Sequence, residues 1–317
     1  MIGFDIGGTK CAVCIGEERD GEMILRDKRV IPTDHGVSPC EVLDELCSLA
    51  SDMTDDFSRI GVSCGGPLDS QKGVILSPPN LPGWDYVLIC DYLENRLGGR
   101  VALQNDANAC AVAEWKYGAG KGTRNMVFLT FGSGLGAGLI LNGALYSGAC
   151  DMAGEAGHIR LSDYGPVGYG KAGSFEGFCS GNGIAAIGRM KAMEKRQMGR
   201  PVSFCPLSAS LDTITAKSIA EAADAGNEDA REIYRMSGDM LGRGLSLLID
   251  LLNPERIVIG SVFARSEALF REAMEKRLAS ECLPASYQAC QIVPAALGDR
   301  IGDYAALSVA ATLGEET

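Results

Sequence analysis

One pattern constrains this chain more than any other: a strand, a glycine turn and a second strand, occurring once early in each half. The first copy is IGFDI (Ile2 to Ile6), then Gly7-Gly8-Thr9, then CAVCIG from Cys11. The second is MVFLTF from Met126, Gly132-Ser133-Gly134 and LGAGLIL from Leu135, followed by the hairpin signal Asn142-Gly143. Short apolar runs bounded by glycine read as strands joined by turns. In a chain of 317 residues, long enough for two cores, the repetition predicts two related α/β lobes with a cleft available between them.

The intervening segments fit alternating helices and strands. Leu43, Leu46, Cys47 and Ala50 recur at helical spacing in a helix predicted over 39–52. A strand follows from Ile60 to Cys64, then the turn Gly65-Gly66-Pro67 and a proline-rich loop from Pro78 to Trp84. Val101 to Leu103 reads as a short strand that delivers Asn105-Asp106 to the start of a helix, with Gly118 as its stop and 118–123 as a candidate hinge. A long amphipathic helix is predicted over 230–252, with Ile233, Met236, Met240, Leu241, Gly244, Leu248 and Leu252 on one face. Asn253-Pro254 ends it, and RIVIG leads into Gly260-Ser261.

Charge narrows the function classes. With 41 acidic against 29 basic residues the net charge is -12, which argues against a nucleic-acid surface. An anionic ligand must then be held locally, by backbone amides, a metal or a few cations. No apolar run reaches membrane-spanning length and the N-terminus has no leader pattern, so the expected location is the cytoplasm, away from membranes. The 12 cysteines are scattered as reduced, packed thiols would be. Cys11 and Cys14 form a CxxC pair, but on a strand three residues apart they face opposite sides, so they read as packed thiols rather than a redox or zinc pair.

Four motifs carry chemistry. In DIGGTK, Gly7 and Gly8 let backbone amides approach phosphate oxygens, Thr9 and Lys10 add a hydroxyl and a charge, and Asp5 is placed to hold a hydrated magnesium ion; a plain hairpin turn is the alternative. FGSGLGAG fits the spacing of a dinucleotide fingerprint, yet a strand pattern follows where that fingerprint needs a helix, so Gly132, Ser133 and Gly134 read as a second phosphate turn. Asp106 at a helix start is expected to stay ionised and able to accept a proton, with a simple helix cap as the bland alternative. Glu155, Gly157, His158 and Glu176 supply carboxylates and an imidazole suited to a polyol.

In order along the chain, DIGGTK, GGPLD (from Gly65), NLPGW (from Asn80), NDANACAVAEWKYGAGKG (from Asn105), FGSGLGAG, GEAGH (from Gly154) and NPERIVIG resemble the ROK family of sugar kinases and repressors. The resemblance implies a two-lobed, actin-like (ribonuclease H-like) α/β fold with ATP and sugar in the cleft between domains. The lobes would cover 1–120 and 121–302, with a last helix over 303–317 packing back on the first. It implies an ATP-dependent carbohydrate kinase acting with Mg2+ on a sugar hydroxyl, the 6-OH of a hexose or N-acetylhexosamine, in the manner of glucokinase, fructokinase or N-acetylmannosamine kinase. Asp106 would be the general base. Gly66, Asn105, Asp106, Glu155, His158 and Glu176 would bind sugar, and Gly7, Gly8, Thr9, Lys10, Gly132, Ser133, Gly134, Gly260 and Ser261 the nucleotide. Homodimers are common in the family.

One departure stands out. Zinc-containing members carry CxCGxxGCxE after the GH pair, whereas this chain reads VGYGKAGSFE, with Val167, Tyr169 and Ser174 at the cysteine positions. No structural zinc site is therefore expected, and Val167, Tyr169 and Phe175 are candidates for an apolar plug in its stead. The family's repressors carry a DNA-binding domain ahead of the first phosphate loop, which here starts at residue 5. A sugar-binding regulator or a sensor without catalysis is the alternative to a kinase, and the retained Asp106 and both glycine turns favour the kinase.

Overall fold

A computed structural model describes residues 1–314. In chain order the elements are β1 (Ile2–Ile6), β2 (Lys10–Arg19), β3 (Glu22–Pro32), α1 (Pro39–Met53), β4 (Arg59–Cys64), β5 (Leu68–Asp69), β6 (Val74–Ile75), α2 (Ile89–Leu97), β7 (Arg100–Asn105), α3 (Asp106–Tyr117), β8 (Met126–Leu129), β9 (Ala137–Leu141), β10 (Ala144–Leu145), β11 (Val167–Gly168), β12 (Lys171–Ala172), α4 (Phe175–Phe178), α5 (Gly181–Gln197), α6 (Ala216–Asp224), α7 (Glu228–Leu252), β13 (Arg256–Ile259), α8 (Ser261–Glu281), α9 (Pro284–Ala289), β14 (Gln291–Pro294) and α10 (Ile301–Thr312). They fall into two compact units. The first comprises Met1–Arg124, Gly138–Gly154 and the chain from Ala296 onward; the second comprises Asn125–Ala137 and Glu155–Ala295. The chain thus crosses at 124/125 and 295/296 rather than at 120 and 302, and the hairpin segment 138–154 goes with the first unit. The last helix ends at Thr312, and residues 315–317 of the expected helix lie outside the described residues.

The first unit is built on a five-stranded sheet in the order β3-β2-β1-β4-β7. β1 runs antiparallel to β2 and parallel to β4, which is parallel to β7. One face carries Ile2, Phe4, Ile6, Cys11 and Val13 into a core with α1 and α2. The other face puts Cys14 against α10, so the two thiols of the CxxC pair point to opposite sides of β2, both buried. Helix α1 starts where it does because Ser38 and Glu41 form a reciprocal capping box, with Pro39 in the first turn. The alanine-rich α10 lies close to the sheet: a Cβ on Gly61 would come within 2.2 Å of Ala306 O, and one on Gly3 within 2.8 Å of Ala306 Cβ. Small residues on both sides of this contact are what allow it.

In the second unit β13 pairs in parallel with β8 on one side and β14 on the other. Helix α7, capped by Asn227, is the central helix, with Tyr234, Leu241, Leu245 and Ile249 buried. The expected face is buried at Ile233, Met240, Leu241, Gly244 and Leu248, while Met236 is 45% exposed and Tyr234 and Leu245 join the core. The helix stops at Asn253, whose φ of 45° and ψ of 56° place it in the left-handed conformation, and Pro254 prevents continuation.

Candidate active site

In the first unit, β1 ends at Ile6 just after Asp5, and the glycine turn reverses the chain within four residues. Gly7 N–H donates to Lys10 O at 3.2 Å, and Thr33 Oγ1 donates to Gly7 O at 2.6 Å. Gly8 has a second reason to be glycine besides phosphate approach, since a Cβ there would lie 2.4 Å from Asn80 O of the NLPGW loop. Thr9 and Lys10 are exposed beside it.

On the same unit β7 delivers Asn105 as the N-cap of α3. Its Oδ1 accepts from Ala107 N at 3.0 Å and Asn108 N at 3.4 Å, a cap worth about 1 kcal/mol. Gln104 buttresses it, its Oε1 accepting from Asn105 N at 2.8 Å and Asn108 Nδ2 at 3.1 Å. Asp106, the first residue of α3, accepts from its neighbour Ala107 N at 2.8 Å. A Cβ on Gly66 would meet Asn105 Nδ2 at 3.2 Å, and one on Gly65 would lie 3.9 Å from Asp106 Oδ2, so the Gly65-Gly66 turn faces the start of α3.

Burial and the backbone N–H groups act in opposite directions on Asp106. The carboxylate is open to solvent yet crowded by protein, and desolvation raises its pKa against the lowering effect of the backbone N–H bonds. Asp5 is pushed up to about 6, by burial first and then by the charges of Asp106 and Asp303, with Lys28 and Lys10 opposing. Two of these neighbours escaped the sequence reading. Asp303 is only 4% exposed and pairs with Lys28 Nζ at 2.6 Å. Its signal was a lone acid inside the apolar stretch IGDYAALSVAAT.

The second unit gathers the other expected residues around its own glycine turn. Glu176, in the first turn of α4, accepts from Leu135 N at 3.0 Å through Oε2. A Cβ on Gly157 would strike Leu135 O at 2.0 Å, so the short 3₁₀ turn Ala156–His158 sits directly on that loop. Gly181 N–H, at the start of α5, donates to Gly132 O at 2.7 Å. Glu155 and His158 flank the 3₁₀ turn and are exposed, with the imidazole edge-on to Tyr169 at 6.3 Å between ring centroids. Gly260 ends β13 with its N–H on Leu129 O at 2.9 Å. Ser261 then opens α8 at a φ of 50°, a conformation that favours glycine.

The stretch in the place of the zinc cysteines does not form the expected apolar plug. Val167 and Tyr169 are 61% and 74% exposed on the β11–β12 hairpin, and only Phe175 is buried, against Gly244 of α7. The loop is held by hydrogen bonds instead. Ser174 caps α4 by accepting from Gly177 N at 3.1 Å, Gly173 O accepts from Leu161 N at 2.8 Å, and Lys171 Nζ donates to His158 O at 2.7 Å. Cys179 is buried with its thiol on Ser237 O at 3.4 Å.

Among the described residues no group of three or more His, Cys, Asp or Glu could hold a metal ion. The single carboxylate of Asp5 beside a glycine turn nevertheless suits Mg2+, which keeps most of its water and takes few protein ligands alongside phosphate oxygens. No described helix is long and apolar enough to cross a membrane.

A sequence profile described as "ROK family" matches residues 1–312. The glucokinase of Thermotoga maritima is 28% identical over 312 residues, covering 98% of this chain and 96% of its own. The N-acetylmannosamine kinase of Escherichia coli is 30% identical over 288 residues, covering 90% of each chain. The crystal structure of a ROK family glucokinase from Streptomyces griseus in complex with glucose and AMPPNP matches with a TM-score of 0.76 at 28% identity, over 99% of this chain and 98% of that one. The fold is the actin-like α/β fold of such sugar kinases.

Proposed function

Because the chain belongs to the ROK family, we propose that it transfers the γ-phosphoryl group of ATP to a hydroxyl of a small sugar, the 6-OH of a hexose or N-acetylhexosamine, with Asp106 as general base. The observation that carries this reading is the pairing, within one unit, of a carboxylate at the start of α3 with the Asp5 glycine turn, close enough that the charge of Asp106 helps to raise the pKa of Asp5.

Phosphoryl transfer asks the protein for positioning, charge neutralisation and an acceptor for one proton. The sugar hydroxyl loses its proton to a carboxylate oxygen of Asp106 as its oxygen bonds to the γ-phosphorus. The bond from that phosphorus to the bridging oxygen of ATP breaks, leaving ADP. Asn105 holds the first turn of α3 in register, and Gly66 gives the sugar a flat backing. Glu155, His158 and Glu176 offer directional partners for further hydroxyls. Gly7, Gly8, Thr9, Lys10, Gly132, Ser133 and Gly134 present amides and a cation to phosphate oxygens, while Gly260 and Ser261 line the adenosine. Magnesium held through water by Asp5 would neutralise phosphate charge.

The test is an ADP-release assay with Mg-ATP across a panel of hexoses, N-acetylhexosamines and β-glucosides. Saturable, sugar-dependent ADP release is expected with at least one of them. Absence of turnover with every sugar, alongside tight binding of one, would favour the regulator or sensor instead.

A further inference from the structure

Glu114 lies on α3 two turns beyond Asp106 and is 0% exposed. A buried carboxylate is tolerated only where its lone pairs are met. Three backbone amides from two separate stretches meet them. Ala119 N–H donates to Oε2 at 2.7 Å, Ala296 N–H to the same oxygen at 3.2 Å, and Leu297 N–H to Oε1 at 2.8 Å. The backbone of the same residue holds the helix end, Glu114 O accepting from Gly118 N at 3.0 Å and Gly120 N at 2.8 Å.

These stretches are where the chain leaves the first unit, after Arg124, and where it returns, at Ala296. The departing stretch is not the loose hinge its glycines suggest. Trp115 Nε1 donates to Thr123 O at 2.7 Å, and Thr123 Oγ1 to Gly120 O at 2.7 Å. Gly118 is glycine for the sake of the carboxylate, since a Cβ there would lie 2.1 Å from Glu114 Oε2.

The geometry points to Glu114 as a positioning residue for phosphoryl transfer: one carboxylate clasps the departing and returning stretches to the helix that carries Asp106. From the departing stretch the chain runs directly into β8 and the Gly132 turn. From the returning stretch it runs into α10, where Gly302 lies against Asp5 (2.7 Å from a Cβ to Oδ2). Within the first unit the clasp therefore ties the helix of the base to the stretch leading into the helix against the magnesium carboxylate, and small displacements of such groups are costly to rate. This role rests on the sugar-kinase reading.

The test uses Glu114→Gln, which sets a donor against an N–H, and Gly118→Ala, which displaces the carboxylate by its methyl. Each is expected to lower kcat by about ten- to a hundredfold with the sugar KM within about threefold, and the double variant to lose less than the product of the two. Hydrogen exchange should quicken at 118–124 and 296–297 together. Val42→Ala, a cavity in the α1 core, should lower Tm without this pattern. A kcat unchanged in both variants below their melting temperatures, multiplicative losses, or exchange that quickens throughout the unit would overturn the proposal. If the parent turns over no sugar, the functional reading falls, and paired exchange at the two stretches still decides whether the clasp exists.

Discussion

At the scale of single residues, the proposed reaction rests on Asp106 and Asp5, and both sit where charge is disfavoured. Asp106→Asn keeps the shape of the helix start and removes only the proton acceptor. It should therefore bind sugar nearly as the parent does and lose about a hundred- to ten-thousandfold in kcat; a rate within about threefold of the parent would refute the base assignment. Asp5 adds a pH dependence whose sign follows from its raised pKa. With the folded value near 6, the native state holds a proton that the unfolded chain has already released, so stability falls as pH rises from the ordinary aspartate range through 6. At pH 7 the ionised group costs on the order of 3 kcal/mol. Asp5→Asn should accordingly raise Tm at pH 8, leave it nearly unchanged at pH 4, and remove the response of turnover to magnesium. Calorimetry at the two pH values checks the first part and a magnesium titration the second. The shift of Asp5 was not legible in the sequence, because the approach of Asp303 and Lys28 comes from α10 and β3, which are remote from β1 along the chain.

At the scale of elements, the two glycine turns differ in what their glycines do. Gly8 abuts Asn80, so a larger residue there disturbs packing as well as any phosphate contact. Gly132 has nothing within 4 Å of a would-be Cβ, which makes Gly132→Ala the cleaner probe. It should raise the KM for ATP by about tenfold, by holding phosphate oxygens away from the amides, with Tm essentially unmoved. Unaltered ATP kinetics would mean that this turn is only a turn. Strands and helices with strong periodicity were readable to within a residue or two: β4, α1, α3 and the hairpin at Asn142-Gly143 lie where the pattern put them. The long helix α7 was found but its buried face was misjudged at Met236, since periodicity alone does not say which edge of a wide apolar stripe meets α8. The stretch 118–123 looked like a hinge by composition, and is instead tied down by Glu114, Trp115 and Thr123, a role no local pattern announces.

At the scale of the whole molecule, the doubled strand-turn-strand pattern gave away two units, and the family resemblance implied the return of the last helix to the first, where the glycines at positions 3 and 61 let α10 lie close to the sheet. The loop between His158 and Glu176 is held by hydrogen bonds within the second unit. A structural zinc needs four donors, and the aligned positions hold Val167, Tyr169 and Ser174. Tyr169 and Val167 are exposed, so they form no apolar plug, and Ser174 is buried at the cap of α4 and bonded to Gly177 N. Through α4 this cap sets Glu176 on Leu135 N. The purified protein, expressed with zinc in the medium, is therefore expected to contain no stoichiometric zinc by elemental analysis and to keep its Tm in EDTA. Ser174→Ala should instead lower Tm, by the loss of a cap worth about 1 kcal/mol, and raise the KM for sugar. One zinc per chain, or a fall of many degrees on chelation, would show that a metal rather than this serine holds the loop, and the placement of Glu176 against the sugar would lose its support.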